Sequence, residues 1–294
     1  MLKIHNVKLA FGEHVVLDEI SLNFQIGTIV GLVAPNGTGK STLLNVILHN
    51  LEPQAGYVEY DHLRYRSNRE IIKLHRLICA FPDQSDLFPF MSGRDHLKLY
   101  ADLWKNSDKN VDNIINKLQM EKYVDRPTQT YSLGMKQRLC FAMVVAADTP
   151  VMLLDEVMNG LDPQNVQLIS DYLLDLKKEN KLIIMASHLL NNLQSYADRV
   201  LFLKAGKVIE DLDNQHQAKQ YLKIEANAIA GTRLKDKRFT KLPDNKIIVP
   251  LDDNLGLDQL ILKLTKEKIP YSVGRIDLSH DRGRLPCYHT QYFA

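Results

Sequence analysis

Residues Pro35-Asn36-Gly37-Thr38-Gly39-Lys40-Ser41-Thr42 bring two glycines, a lysine and adjacent hydroxyls into one short run. Gly37 and Gly39 permit backbone conformations that turn N–H groups inward, a nest for phosphate oxygens. The apolar residues Leu43, Leu44, Val46 and Ile47 predict a helix directly after it, and a helix N-terminus adds partial positive charge. In that setting Asn36 and Thr38 line the loop, and Lys40 can bridge the β- and γ-phosphates of a nucleotide. The Ser41 hydroxyl can ligate Mg²⁺, and Thr42 would reach the α-phosphate side. The strict pattern has glycine six residues before the lysine. Here Ala34 stands there, a difference of one methyl.

A second set of reactive groups ends the run Val151-Met152-Leu153-Leu154-Asp155-Glu156. Four apolar residues before two carboxylates suit a buried strand, and nucleotides sit at the carboxyl ends of such strands. Asp155 is then placed for a Mg²⁺ shell, and Glu156, one step on, to polarise an attacking water. Taken alone, the run is a strand meeting a turn; its meaning comes from the loop upstream.

The segment Tyr131-Ser132-Leu133-Gly134-Met135-Lys136-Gln137-Arg138 narrows the assignment. Together with the loop and Asp155-Glu156 it resembles the signature of the ATP-binding cassette family, commonly Leu-Ser-Gly-Gly-Gln. Ser132 and Gly134 match its second and fourth positions, and the variants Tyr131, Leu133 and Met135 resemble those of bacterial exporters of drugs, peptides or polysaccharides. The resemblance covers about residues 1–215. It implies that Ser132 and the helix start at Gly134 contact the γ-phosphate bound to an opposite protomer. It also implies that Gln84 reaches Mg²⁺ and the attacking water, and that His188 is the switch histidine on the γ-phosphate. Phe11 matches the aromatic that stacks on adenine, and Asn159-Gly160-Leu161-Asp162 the loop that crosses the dimer interface. Val157 stands where the family usually has proline.

The function implied is an ATPase with ATP and Mg²⁺ as cofactors. It would power export of a peptide, drug or amphipathic molecule through a separate transmembrane permease subunit. Two copies would form an ATP-dependent head-to-tail homodimer, peripheral on the cytoplasmic face of the membrane, with no nucleic acid expected. The resemblance leaves two alternatives: a soluble non-transport member of the family, and a nucleotide-sensing regulatory subunit. Members of the first kind carry long coiled coils, zinc-ligand cysteines or paired cassettes, which this sequence lacks, and intact Glu156 and His188 argue against the second.

The elements that must position these residues are legible as patterns. Residues 2–10 and 20–26 alternate apolar and polar, as half-buried antiparallel strands do. Continuous apolar runs at Thr28–Ala34, Leu77–Phe81, Val151–Leu154, Leu182–Ala186 and Val200–Leu203 suit strands buried on both faces. Helical stripes lie between them, at Leu97, Tyr100, Ala101 and Trp104 and at Ile169, Leu173 and Leu176. Such alternation predicts an α/β fold with a mostly parallel sheet. The resemblance makes it a P-loop NTPase of RecA-like type, with an antiparallel β subdomain and a helical signature subdomain over about 86–145.

The predicted boundary lies near residue 215. Beyond it, over 216–294, a strand–helix–strand pattern at Lys246–Leu251, Leu257–Lys266 and Tyr271–Leu278 predicts a small α/β domain. It resembles the extension of exporter subunits, read here as a structural cap with regulation or dimer stabilisation as the alternative. Residues 219–294 carry 14 Lys and Arg against 9 Asp and Glu, a balance of +5 that leaves −3 for 1–218. The 294-residue chain is 45% hydrophobic and 24% charged, with a formal charge of +2; that is average for a soluble globular protein and argues for no polyanionic partner. Cys79, Cys140 and Cys287 are far apart and odd in number, with no metal spacing alongside His280 and His289. A reducing compartment fits them. The longest apolar stretch, Leu139 to Leu154, is broken by Asp148 and Pro150. Spanning a bilayer takes ~20 such residues, and the N-terminus has no signal-peptide succession. Any membrane role is therefore expected to be peripheral.

Overall fold

The computed structural model describes residues 1–35, 37–105, 110–187, 193, 196–213, 221–225, 240–241, 246–250 and 271–274. The chain divides into two compact units, Met1–Leu212 and Asp213–Ala294.

The first unit begins with β1 (Leu2–Phe11), β2 (His14–Phe24), β3 (Ile29–Val33), α1 (Lys40–Ile47), β4 (Ala55–Tyr60), β5 (Leu63–Arg64), α2 (Asn68–His75) and β6 (Ile78–Ala80). Helices α3 (Gly93–Leu103), α4 (Val111–Lys117) and α5 (Leu133–Ala147) follow, then β7 (Val151–Asp155), α6 (Pro163–Lys178), β8 (Leu182–Ser187), β9 (Arg199–Lys204) and β10 (Lys207–Asp213). Two sheets result, ordered β2-β1-β4-β5 and β10-β9-β3-β8-β7-β6. In the second, β3 runs parallel to β8 and β9, and β7 parallel to β6 and β8. This is the mostly parallel sheet with an antiparallel companion that the patterns predict.

The antiparallel sheet departs from its pattern: β4 and β5 are additional to it, and β1 and β2 carry bulges. β2 starts at His14, six residues before the predicted Ile20. Its alternation slips at Glu19, which has φ +55, so that Leu17 and Ile20 are the buried positions on either side. A bulge moves later side chains to the other face and hides the period. β1 slips likewise at Asn6, φ 43, where its pairing with β2 shifts between Ile4 and Val7. Gly56 of β4 packs against that bulge, and a Cβ there would lie 2.2 Å from His5 O.

The central strands bury every residue of β3 and the first four of β7. The start of β3 is fixed where Ile29 N–H donates to Asp198 Oδ2 at 2.9 Å, and Asp198 pairs with Lys177 of α6. Between β6 and β7 the chain is helical. Ser92 and Asp95 form a reciprocal capping box at the start of α3, and Leu97 and Ala101 are buried as the stripe predicts. Tyr131 ties these helices together. Its hydroxyl accepts from Gly93 N–H at 3.2 Å and donates toward the carbonyls of Tyr123 and Val124 at 3.0 and 3.1 Å.

The second unit contains β11 (Tyr221–Glu225), β12 (Thr240–Lys241), β13 (Lys246–Pro250) and β14 (Tyr271–Gly274), in one sheet ordered β12-β13-β11-β14. All described pairings in it are antiparallel. The strands expected at 246–251 and 271–278 overlap β13 and β14, with residues 251 and 275–278 outside the described ones, and the unforeseen β11 lies between them. The helix expected at Leu257–Lys266 lies outside the described residues.

Candidate active site

The phosphate-type loop hangs between the end of β3 and the start of α1. Gly37 and Gly39 have φ +77 and +101, in the left-handed region. Gly39 caps α1, and a Cβ added to it would lie 2.9 Å from Val16 O of β2. Only glycine meets both the conformation and the close approach. Thr38 Oγ1 donates to Pro35 O at 2.6 Å, bracing the loop. Lys40 is 5% exposed, with Nζ donating to Ala34 O at 2.7 Å and Pro35 O at 3.1 Å and lying 3.8 Å from Glu156 Oε1. Burial pushes the Lys40 pKa down, while the Glu156 and Asp155 carboxylates pull it back up. A cation held among carbonyls and carboxylates at the carboxyl end of β3, in the middle of the sheet, could exchange them for phosphate oxygens.

At the end of β7, Asp155 Oδ2 accepts from Ser41 Oγ at 2.5 Å, whereas Asp155 Oδ1 is buried with no hydrogen-bond partner. Glu156 adopts φ +51, which costs an ordinary residue ~1–2 kcal/mol, and its N–H donates to Ala186 O at 3.0 Å. Such a conformation persists only where surrounding contacts over-determine it. Thr42 follows Ser41 in the first turn of α1.

Gln84 opens a short 3₁₀ turn after β6, capped by Asp83. Its amide reaches inward to Gln137 of α5, with Gln84 Nε2 donating to Gln137 Oε1. Gln137 in turn donates to Glu156 O at 3.2 Å and Val157 O at 2.9 Å. The structure therefore brings Lys40, Ser41, Gln84, Asp155 and Glu156 into one network. Gln137 is a member that sequence reasoning passed over. A buried amide one turn past Ser132 gave no signal by type or spacing.

Ser132 is the N-cap of α5, where its hydroxyl accepts from Met135 N–H at 3.3 Å. Leu133 is 60% exposed and lies over Gly160, so that a Cβ on Gly160 would meet Leu133 Cδ2 at 3.0 Å. Gly134 faces Leu161. Asp162 is the N-cap of α6: Asn165 N–H donates to Oδ1 at 2.9 Å and Asn165 Nδ2 to Oδ2 at 2.6 Å. Those bonds lower its pKa, the Asn165 backbone bond most. Arg138, beside Gln137, donates to Asn165 Oδ1 and to Leu118 O. Phe11 is 56% exposed opposite His14, two residues along β2 from the Val16 that abuts Gly39. Asn36 and His188 lie outside the described residues.

A family model described as ABC transporter matches residues 17–159. The lantibiotic transport ATP-binding protein SrtF of Streptococcus pyogenes is 30% identical over 71% of this chain and 89% of that protein. The chain belongs to the ABC transporter ATP-binding family. This ABC protein also matches the ATP-binding protein YdbJ of Bacillus subtilis, at 27% identity over 92% of this chain and 85% of that one. Among solved structures, the dimeric bacterial cassette MJ0796 shares 25% identity and a TM-score of 0.66, covering 73% of this chain and 99% of the other. The ABC chain is accordingly the ATP-binding and ATP-hydrolysing component of an ABC transporter, and its fold is that of the cassette. Among its described residues no helix is long and apolar enough to cross a membrane.

Proposed function

We propose that this ATPase powers export of a peptide or amphipathic molecule through separate membrane-spanning subunits, working as a head-to-tail dimer on the cytoplasmic face of the membrane. The observation that carries the catalytic part is the cluster of Ser41, Asp155, Lys40 and Glu156 at the carboxyl ends of β3 and β7. The lantibiotic-transport relative and the variant signature around Leu133 and Met135 support the export direction.

The residues fit a Mg²⁺ ion. One carboxylate with a buried, unpartnered oxygen and one adjacent hydroxyl are the few protein ligands Mg²⁺ takes beside phosphate and water. Ser41, Asp155 and Gln84 would hold it, and when bound it offsets charge on the β- and γ-phosphate oxygens. Lys40 leaves the Ala34 and Pro35 carbonyls for the phosphates, with the N–H groups of Gly37, Thr38 and Gly39 around them. Glu156, aimed by its strained backbone, orients the attacking water and accepts its proton. Phe11 offers an exposed ring to the base. His188 is proposed to donate to the γ-phosphate, and Asn36 to line the loop. Ser132 and the first turn of α5, with Gly134 open beside Leu161, would complete the site of the opposite copy. Asp162 is assigned to the nucleotide with them, its cap on α6 fixing the end of the 159–162 loop.

Contact with the membrane subunit is assigned to residues 84–104, the loop after Gln84 and the helix α3 that follows it. Of the apolar residues after Gln84, Leu87 is buried at 7% exposed, whereas Phe88 and Phe90 are 54% and 81% exposed. A domain boundary near residue 215 and a capping role for the basic C-terminal part belong to the same proposal.

Sizing of the Glu156→Gln variant tests the assembly. It should be monomeric without nucleotide or with ADP and dimeric with ATP. A monomer at saturating ATP would overturn the two-copy site for the isolated subunit.

A further inference from the structure

Gln137 touches three parts of the site at once through a single amide group. It is 5% exposed, five residues past Ser132 on α5. Its oxygen accepts from Gln84 Nε2, and its nitrogen donates to the carbonyls of Glu156 and Val157 at 3.2 and 2.9 Å. The peptide units around Glu156 are thereby held from both sides, because the Glu156 N–H is bound to Ala186 O at 3.0 Å. With φ at +51 the Glu156 backbone sits in a shallow, costly well. The two bonds from Gln137 help keep it there, beside those from Glu156 N–H to Ala186 O and from Asn159 N–H to Glu156 O, each 3.0 Å.

We propose that Gln137 is a positioning residue for ATP hydrolysis, holding Glu156 and Gln84 in register with the N-terminus of α5. The chemistry demands an amide of this length. Two donors must face the 156–157 carbonyls while an acceptor faces Gln84. A glutamate supplies no donor, a methionine supplies neither function, and an asparagine is one methylene short. Because α5 begins at Ser132, any rotation of that helix moves both Glu156 and Gln84 through the same side chain. The inference rests on the proposed roles of Glu156 and Gln84.

The test is steady-state ATPase activity of the full chain carrying Gln137→Glu or Gln137→Met, with melting temperature and ATP affinity measured alongside. Either variant should lower kcat at least ~10-fold, as for a mispositioned base, with KM for ATP within about twofold, the mark of a loss felt in the transition state. Gln84→Ala should cost less in the Gln137→Met background than alone, because the two act through one bond. A kcat within twofold of the parent overturns the proposal. So does a loss of ATP affinity in step with kcat, or failure of both variants to fold, since either assigns Gln137 to the framework. Glu156→Gln run in parallel separates the two ideas. If it stays active, the role of Glu156 falls; if it is inactive while Gln137→Met is normal, only the role of Gln137 falls.

Discussion

Ser41 Oγ lies 2.5 Å from Asp155 Oδ2, joining the first turn of α1 to the end of β7 across 114 residues of sequence. The second oxygen of the same carboxylate is buried without a partner. A buried unpaired acceptor costs ~1–3 kcal/mol, so the pair is arranged for something that supplies positive charge. Asp155→Asn should leave ATP binding in EDTA within about twofold of the parent and abolish the strengthening by Mg²⁺. Its ATPase activity should fall at least ~100-fold, because a bound metal supplies several kcal/mol of charge stabilisation in the transition state. Calorimetric titration with and without Mg²⁺ reads the first effect. Equal Mg²⁺ enhancement in parent and variant would remove Asp155 from the metal site.

The alkaline limit of stability follows from buried acids. Burial pushes the phenols of Tyr65, Tyr100, Tyr172 and Tyr196 up, Tyr131 up to about 12, and the Cys140 thiol up to about 12. A raised pKa favours the protonated form in the folded state. That stability is complete below the unfolded values of about 9 to 10 and is lost as pH rises through the folded ones. Lys40 acts oppositely: its depressed pKa means that stability gains as pH rises toward its unfolded value. One lysine stands against several tyrosines, so the melting temperature should fall between about pH 9.5 and 11. A flat profile over that window would contradict the burial of these groups.

The exposed rings of Phe88 and Phe90 give a separable prediction for coupling. The Phe88 N–H donates to His96 Nε2 at 2.9 Å and its ring lies 5.8 Å from the His96 ring, so His96 holds Phe88 while half of the ring stays exposed. Phe90, the more exposed, is the cleaner site. Phe90→Asp should leave ATP affinity unchanged and weaken co-purification with the co-expressed membrane subunit. An unpaired charge buried in an interface costs about 3 kcal/mol, on the order of 100-fold in affinity. Undiminished co-purification of a folded variant would place the contact elsewhere.

Much of the first unit was legible because each signal there is local. The loop at Pro35–Thr42 needs only glycines at two turns and a lysine at one helix start, and β3 and β7 are continuous apolar runs. What was hidden depends on tertiary contact. The bulges at Asn6 and Glu19 break a period of two that sequence cannot know is broken. β4, where the His5 carbonyl leaves room only for glycine at position 56, shows no alternation that marks it in the sequence. Asp162 matched a family position, and its carboxylate turned out to be engaged as a helix cap by Asn165. Gln137 reads as one polar residue on a buried helix until its three partners are seen.

The central claim is that Glu156 activates water while Lys40, Ser41 and Asp155 hold the nucleotide. The most direct measurement is ATP turnover by the Glu156→Gln variant beside its MgATP affinity. Binding should stay within about threefold of the parent while kcat drops at least ~100-fold, the range for losing a positioned base. Near-normal turnover with intact binding would contradict the account.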